Sequence, residues 1–126
     1  MNRNYQLGLL CLTHLLVSAD GTIHNSEVDA LKIIKDTEKI SDTLFDEFEH
    51  LVRDKKEREI FQAGIDLLSH CNNEEKLKVF VMLYKLSEVD GRVHVKEIRL
   101  LLYSIKLSGV EFDDVVTKAL ILPPLL

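Results

Sequence analysis

One stretch is written twice in this chain, and that repeat constrains the fold more than any other feature. "SADGTIHNSE" runs from Ser18 to Glu27 and "EVDGRVHVKE" from Glu88 to Glu97, an offset of 70 residues. Over residues 14–31 set against 84–101, six of eighteen positions are identical, and Ile23/Val93 and Val28/Ile98 are conservative. Unrelated windows of this length share about one identity. The chain reads as an internal duplication, two copies of one supersecondary unit.

The flanks of both copies are helical in pattern. Upstream of the first, Leu7, Leu9, Leu10, Leu12, Leu15, Leu16 and Val17 point nearly all round a helix over 4–18. Leu77, Val79, Phe80, Val81, Met82, Leu83 and Leu86 do the same over 74–88, with Asn72 or Asn73 placed to cap that helix. A helix apolar all round is buried on most sides, so these two form the expected centre. Downstream, Val28, Leu31 and Ile34 mark one amphipathic stripe, and Ile98, Leu101, Leu102 and Ile105 the other. "ISDTLFDEFEHLV" (40–52) then matches "LSGVEFDDVVTKA" (107–119) at an offset of 67, and residues 56–70 supply a linking helix with Ile60, Phe61, Ile65 and Leu68 inward. The expectation is all-α. A single domain over 1–126 has about seven helices, with halves near 4–53 and 74–119 related by a pseudo-twofold around two buried helices. Pro123 and Pro124 end the last helix. The apolar tail "ALILPPLL" either folds back over a groove or is an exposed docking strip.

Composition narrows the function classes. A net charge of −5 excludes a basic footprint for sequence-independent nucleic-acid binding. Cys11 and Cys71 form no CxxC pair and read as reduced thiols, which fits a cytoplasmic protein. No run reaches the roughly 18–20 apolar residues of a membrane span. The first nineteen residues imitate a signal peptide, but His14 and Thr13 interrupt the apolar run and cleavage after Ala19 would cut the repeat.

The Asp-Gly motif has a structural reading. Gly21 and Gly91 follow long helices, where a left-handed residue is wanted. His24 and His94 stand at the next N-cap, and Glu27 and Glu97 at the third helical position, where a carboxylate closes a capping box. Histidine caps poorly, so the two histidines are what this reading explains least. The functional reading is a cation site. The motif imitates the second half of an EF-hand loop, with Gly at position 6 and Glu at 12, but position 1 falls on Leu16 or Leu86 and excludes a true EF-hand. A weaker site from Asp20 and Glu27, with Asp29 or His24 and waters, stays open, as does its counterpart Asp90, His94 and Glu97. Residues 18–30 sum to −3 and residues 88–100 to zero, so the first copy is the one expected to hold a divalent cation. No cofactor is otherwise implied.

The duplicated helix, "ADG-x-I-x-x-x-E", helix pattern resembles the tellurite-resistance TerB family and the TerB-like N-terminal domain of DjlA-type membrane co-chaperones. The likeness covers essentially the whole chain and is most specific in "SADGTIHNSE" and "EVDGRVHVKE". It implies an all-α fold of about seven helices, a stress-related role, a cation link and protein partners, membrane-associated ones among them. The family's acidic positions fall on Asp20, Glu27, Asp90 and Glu97. The chain departs from the pattern at His24 and His94, where small polar or acidic residues are more usual. It has no J-domain or membrane helix, so co-chaperone activity does not carry over.

No catalytic constellation stands out. The chain has no G-x-S-x-G elbow, P-loop, H-E-x-x-H or G-x-G-x-x-G. A di-metal bundle would repeat Glu-x-x-His on inward faces, and only Glu47 and His50 have that spacing. The reading is a non-catalytic interaction domain with weak cation binding. The alternatives are a pure scaffold, in which the motif is only structural, and a metal-dependent bundle enzyme.

Overall fold

The computed structural model describes residues 3–17, 25–88, 103, 105–107 and 109–121, and the side chains of these except at 16, 17, 25–30 and 86–88. Its helices are α1 (Arg3–Val17), α2 (Asn25–Thr37), α3 (Asp42–Val52), α4 (Glu57–Leu68), α5 (Asn73–Glu88) and α6 (Phe112–Ile121). Residues 103 and 105–107 are also helical and bring the number to seven, with no strand among the described residues. The all-α expectation holds.

The helix starts follow from local chemistry. Ser41 caps α3 by accepting from the Leu44 N–H at 3.1 Å. Asn72, not Asn73, caps α5. Its Oδ1 accepts from the Glu75 N–H at 2.8 Å, and Glu75 Oε1 accepts from the Asn72 N–H at 3.1 Å. This reciprocal pair satisfies two orphan donors of the first turn. Glu59 makes half of the same arrangement, accepting from the Lys56 N–H at 3.5 Å. Lys39 and Asp54, just past α2 and α3, adopt left-handed φ of 54° and 61°, and Gly109 one of 77°.

α1 is the centre. Tyr5, Leu7, Leu9, Leu10, Cys11, Leu12 and Leu15 are all buried, and α2, α3, α4 and α5 each pack on it. α5 buries the consecutive run Val79 to Leu83, which no single helical face could do, so it is enclosed as well. α6 lays Val115 and Ala119 against α5, and Tyr84 meets Phe112 edge-on at 6.3 Å between ring centroids. The linking helix is more central than its sequence suggests. α4 makes the most extensive packing on α1 through two glycines. A Cβ on Gly8 would stand 2.9 Å from Leu68 Cδ2, and one on Gly64 would stand 3.2 Å from Leu12 Cδ2 and 3.3 Å from Cys11 Cβ. Only hydrogen side chains let these helices approach so closely. Ile60 and Leu68 are buried beside the crossing, while Phe61 and Ile65 are half-buried.

The expected superposition of the halves through Asp20-Gly21 and Asp90-Gly91 falls outside the described residues, as do residues 122–126 of the apolar tail.

Candidate functional site

Of the motif residues, Glu27 and Asp29 lie on α2, Glu27 as its third residue, with side chains outside those described. Asp20, His24, Asp90, His94 and Glu97 lie outside the described residues altogether. α1 ends at Val17 and α2 begins at Asn25, so the first copy joins these two helices. The third helical position is informative. Glu59 and Glu75 hold it in α4 and α5, and both reach back to the amide of the preceding cap. Glu27 stands at the same register in α2.

A buried polar cluster joins three helices near the other end of α1. The Glu38 carboxylate, almost fully buried just past α2, accepts from Tyr5 Oη at 3.0 Å and pairs with Lys78 Nζ at 3.4 Å. Lys78 Nζ also stands 5.8 Å from the Tyr5 ring centroid, and Gln6 Nε2 donates to the Glu38 carbonyl at 3.2 Å. Burial first, then the adjacent Glu38 carboxylate, pushes the Tyr5 phenol far above its ordinary value. The Tyr5 hydroxyl is thus a fixed donor at any physiological pH. Sequence reading passed over Glu38. The signal was present, because Leu31, Ile34 and Glu38 follow one another at helical spacing and the acid continues the inward stripe.

The remaining reactive groups are dispersed. Cys11 and Cys71 are buried, free thiols, and burial pushes Cys11 up to about 12 from 9.0. Burial also raises Cys71, with help from Glu75. His14 is half-buried and meets Phe48 edge-on at 6.2 Å, while His50 and His70 are exposed. Glu47, the partner of His50 in the Glu-x-x-His spacing, pairs on the surface with Arg3. Among the described residues no three His, Cys, Asp or Glu side chains converge as metal ligands. No helix among them is long and apolar enough to cross a membrane.

Exposed apolar side chains are unevenly placed. Tyr103, Leu107, Phe112, Leu120 and Ile121 are the large ones exposed among the described residues, all within 103–121. Leu107 is 50% exposed where its repeat counterpart Ile40 is 4% exposed, and Leu120 and Ile121 reach 80% and 76%. Tyr103 stacks on Phe61 at 5.6 Å with 24° between planes.

The comparisons with known proteins bear on this arrangement. The family model for tellurite resistance protein TerB matches residues 6–117, from the first turn of α1 into α6. No curated protein and no solved structure matches the chain. The matched span takes in both Asp-Gly segments and the all-helical frame that carries them, and on that span the chain belongs to the TerB family.

Proposed function

We propose that this TerB-family chain is a non-catalytic, cytoplasmic interaction domain of a stress response, acting through protein partners, membrane-associated ones among them. The observation that carries the reading is the concentration of exposed apolar side chains in 103–121. Exposed leucine and isoleucine at these levels disfavour the free state in water, and apolar side chains concentrated in one segment are what protein partners cover. The test uses Leu107→Glu and Leu120→Glu, both on exposed positions that leave the core intact. Proteins that crosslink to the wild-type chain in cell extract under oxidative stress should be lost from both variants. Equal recovery by wild type and variants overturns the reading.

A second reading, favoured by the charge of −3 over residues 18–30 against zero over 88–100, is weak divalent-cation binding by the first copy. Asp20, Glu27 and either Asp29 or His24 would supply the ligands, with Asp90, His94 and Glu97 the weaker counterpart. EF-hand sensors reach about 10⁻⁷–10⁻⁵ M because several carboxylates converge, so a site with leucine at the first ligand position is expected near 10⁻⁴ M or weaker. Zn²⁺ gains over Ca²⁺ if His24 ligates, because imidazole suits the softer ion. Calorimetric titration should lose the signal in Asp20→Asn and keep it in Asp90→Asn, and micromolar Ca²⁺ affinity contradicts the reading. The pure scaffold remains the alternative, in which Glu27 only caps α2 as Glu59 and Glu75 cap theirs. The metal-dependent bundle enzyme has no support from the positions of Glu47 and His50.

A further inference from the structure

At the start of α3 the chain meets its own acids and aromatic ring with its own cations. Lys35 Nζ pairs with Asp42 at 2.7 Å and stands 6.0 Å from the Phe45 ring centroid, and Arg3 pairs with Glu47. Ile40 is buried just before the helix, and Phe45 is half-buried against Phe48. The start of α6 repeats the residue types. At the offset of 67, Ile40, Phe45, Asp46 and Glu47 align with Leu107, Phe112, Asp113 and Asp114. There the cover is missing. Leu107 and Phe112 are exposed, and Glu111, Asp113 and Asp114 are exposed and form no ion pair among the described residues.

The sequence explains the difference. Lys35 aligns with Leu102 at the offset of 67 and with Ile105 at 70, and Arg3 aligns with Asn73. None of these can supply a positive charge. Lys106 is the one cation among residues 106–114, against three acids. Leu107 and Phe112 flank one tight turn, in which the Gly109 N–H donates to the Lys106 carbonyl at 3.3 Å. Asp113 and Asp114 suit the positive end of α6. A helix start gives no reason, however, for an exposed leucine and phenylalanine beside them.

We propose that the start of α6 is a docking surface for a basic amphipathic segment of a protein partner. Its apolar side chains cover Leu107 and Phe112, and its lysines or arginines pair with Asp114 and stand against the Phe112 ring as Lys35 does with Phe45. The inference rests on the partner reading above and names the partner's chemistry. The same acids repel an anionic lipid surface, and the net charge of −5 disfavours a second copy of this chain.

The experiment measures, by fluorescence anisotropy at low salt, the binding of two labelled amphipathic helical peptides. One has leucine on one face and lysine on the other, and its twin has glutamate in place of lysine. Wild type should bind the lysine peptide about tenfold or more tightly than the twin. Leu107→Ser and Asp114→Asn should each weaken that binding about fivefold. Glu57→Gln, the same loss of charge at the exposed start of α4, should leave it within about twofold. Equal affinity for the two peptides, or equal weakening by Glu57→Gln and Asp114→Asn, overturns the docking surface, and the partner reading then stands without it if crosslinked proteins are still lost from Leu107→Glu. Full recovery of those proteins by Leu107→Glu and Leu120→Glu overturns both. A concentration-dependent dimer that Leu107→Ser abolishes overturns the basic partner in favour of a second copy.

Discussion

Replacing Gly8 with alanine sets two known effects against each other, and the structure decides the sign. Glycine inside a helix is worse than alanine by about 0.5–1 kcal/mol, so propensity alone makes Gly8→Ala stabilising. The new Cβ would stand 2.9 Å from Leu68 Cδ2, 3.0 Å from its Cγ and 3.4 Å from the Gly64 carbonyl oxygen. Carbon pairs rest near 3.5–4.0 Å, so the deficit is about half an ångström or more. Leu68 is only 1% exposed, so its side chain has no solvent to turn into, and the α4 backbone at the Gly64 carbonyl also borders the new Cβ. Either the Leu68 side chain or the helices must shift, and overpacking of this order costs about 1–3 kcal/mol. The net expectation is a loss of about 0.5–2 kcal/mol. Urea unfolding followed by far-ultraviolet circular dichroism should show a lower midpoint at unchanged slope. In a Leu68→Ala background the obstacle is gone, and adding Gly8→Ala should instead recover about 0.5–1 kcal/mol. A raised midpoint for Gly8→Ala alone, or the same sign in both backgrounds, refutes the close α1–α4 crossing.

Three further outcomes follow from other parts of the molecule. Lys39 holds a left-handed φ of 54°, so Lys39→Gly should raise stability by about 0.5–1 kcal/mol in the same assay. Glu38→Ala, which removes the buried acceptor of Tyr5 and Lys78, should cost about 2–4 kcal/mol, whereas Lys78→Ala, at a half-exposed side chain, should cost under about 1 kcal/mol. Burial raises Cys11 from 9.0 to about 12, so its contribution is complete below pH 9 and is lost as pH rises toward 12, where the unfolded thiol ionises and the folded one does not. Between pH 8 and 10.5 wild type should therefore lose about 2 kcal/mol more than Cys11→Ala, at roughly 1.4 kcal/mol per pH unit, and equal losses would show that the thiol is not held in the core.

Much of the architecture is a property of the sequence. The all-round apolar runs of α1 and α5 could not sit on a surface, so their burial was fixed by composition and the 3.6-residue period alone. The Asp-Gly repeat identified the TerB family because those residue types recur at one spacing in a chain that needs no other special chemistry. The caps were local as well, since Asn72 and Glu75 are three residues apart and need no tertiary partner. Pairing between helices was not legible. Periodicity reports which face of a helix turns inward and is silent on which neighbour meets it, so Gly8 and Gly64, 56 positions apart, gave no sign of being one contact. Glu38 drew no attention in the sequence, and only the convergence of Tyr5 and Lys78 from two other helices made its burial tolerable. The same holds for Ile40 and Leu107, aligned and alike in sequence, one buried and one half open to water. A side chain's hydrophobicity is set by its own atoms, but its burial is set by whatever the rest of the chain brings against it.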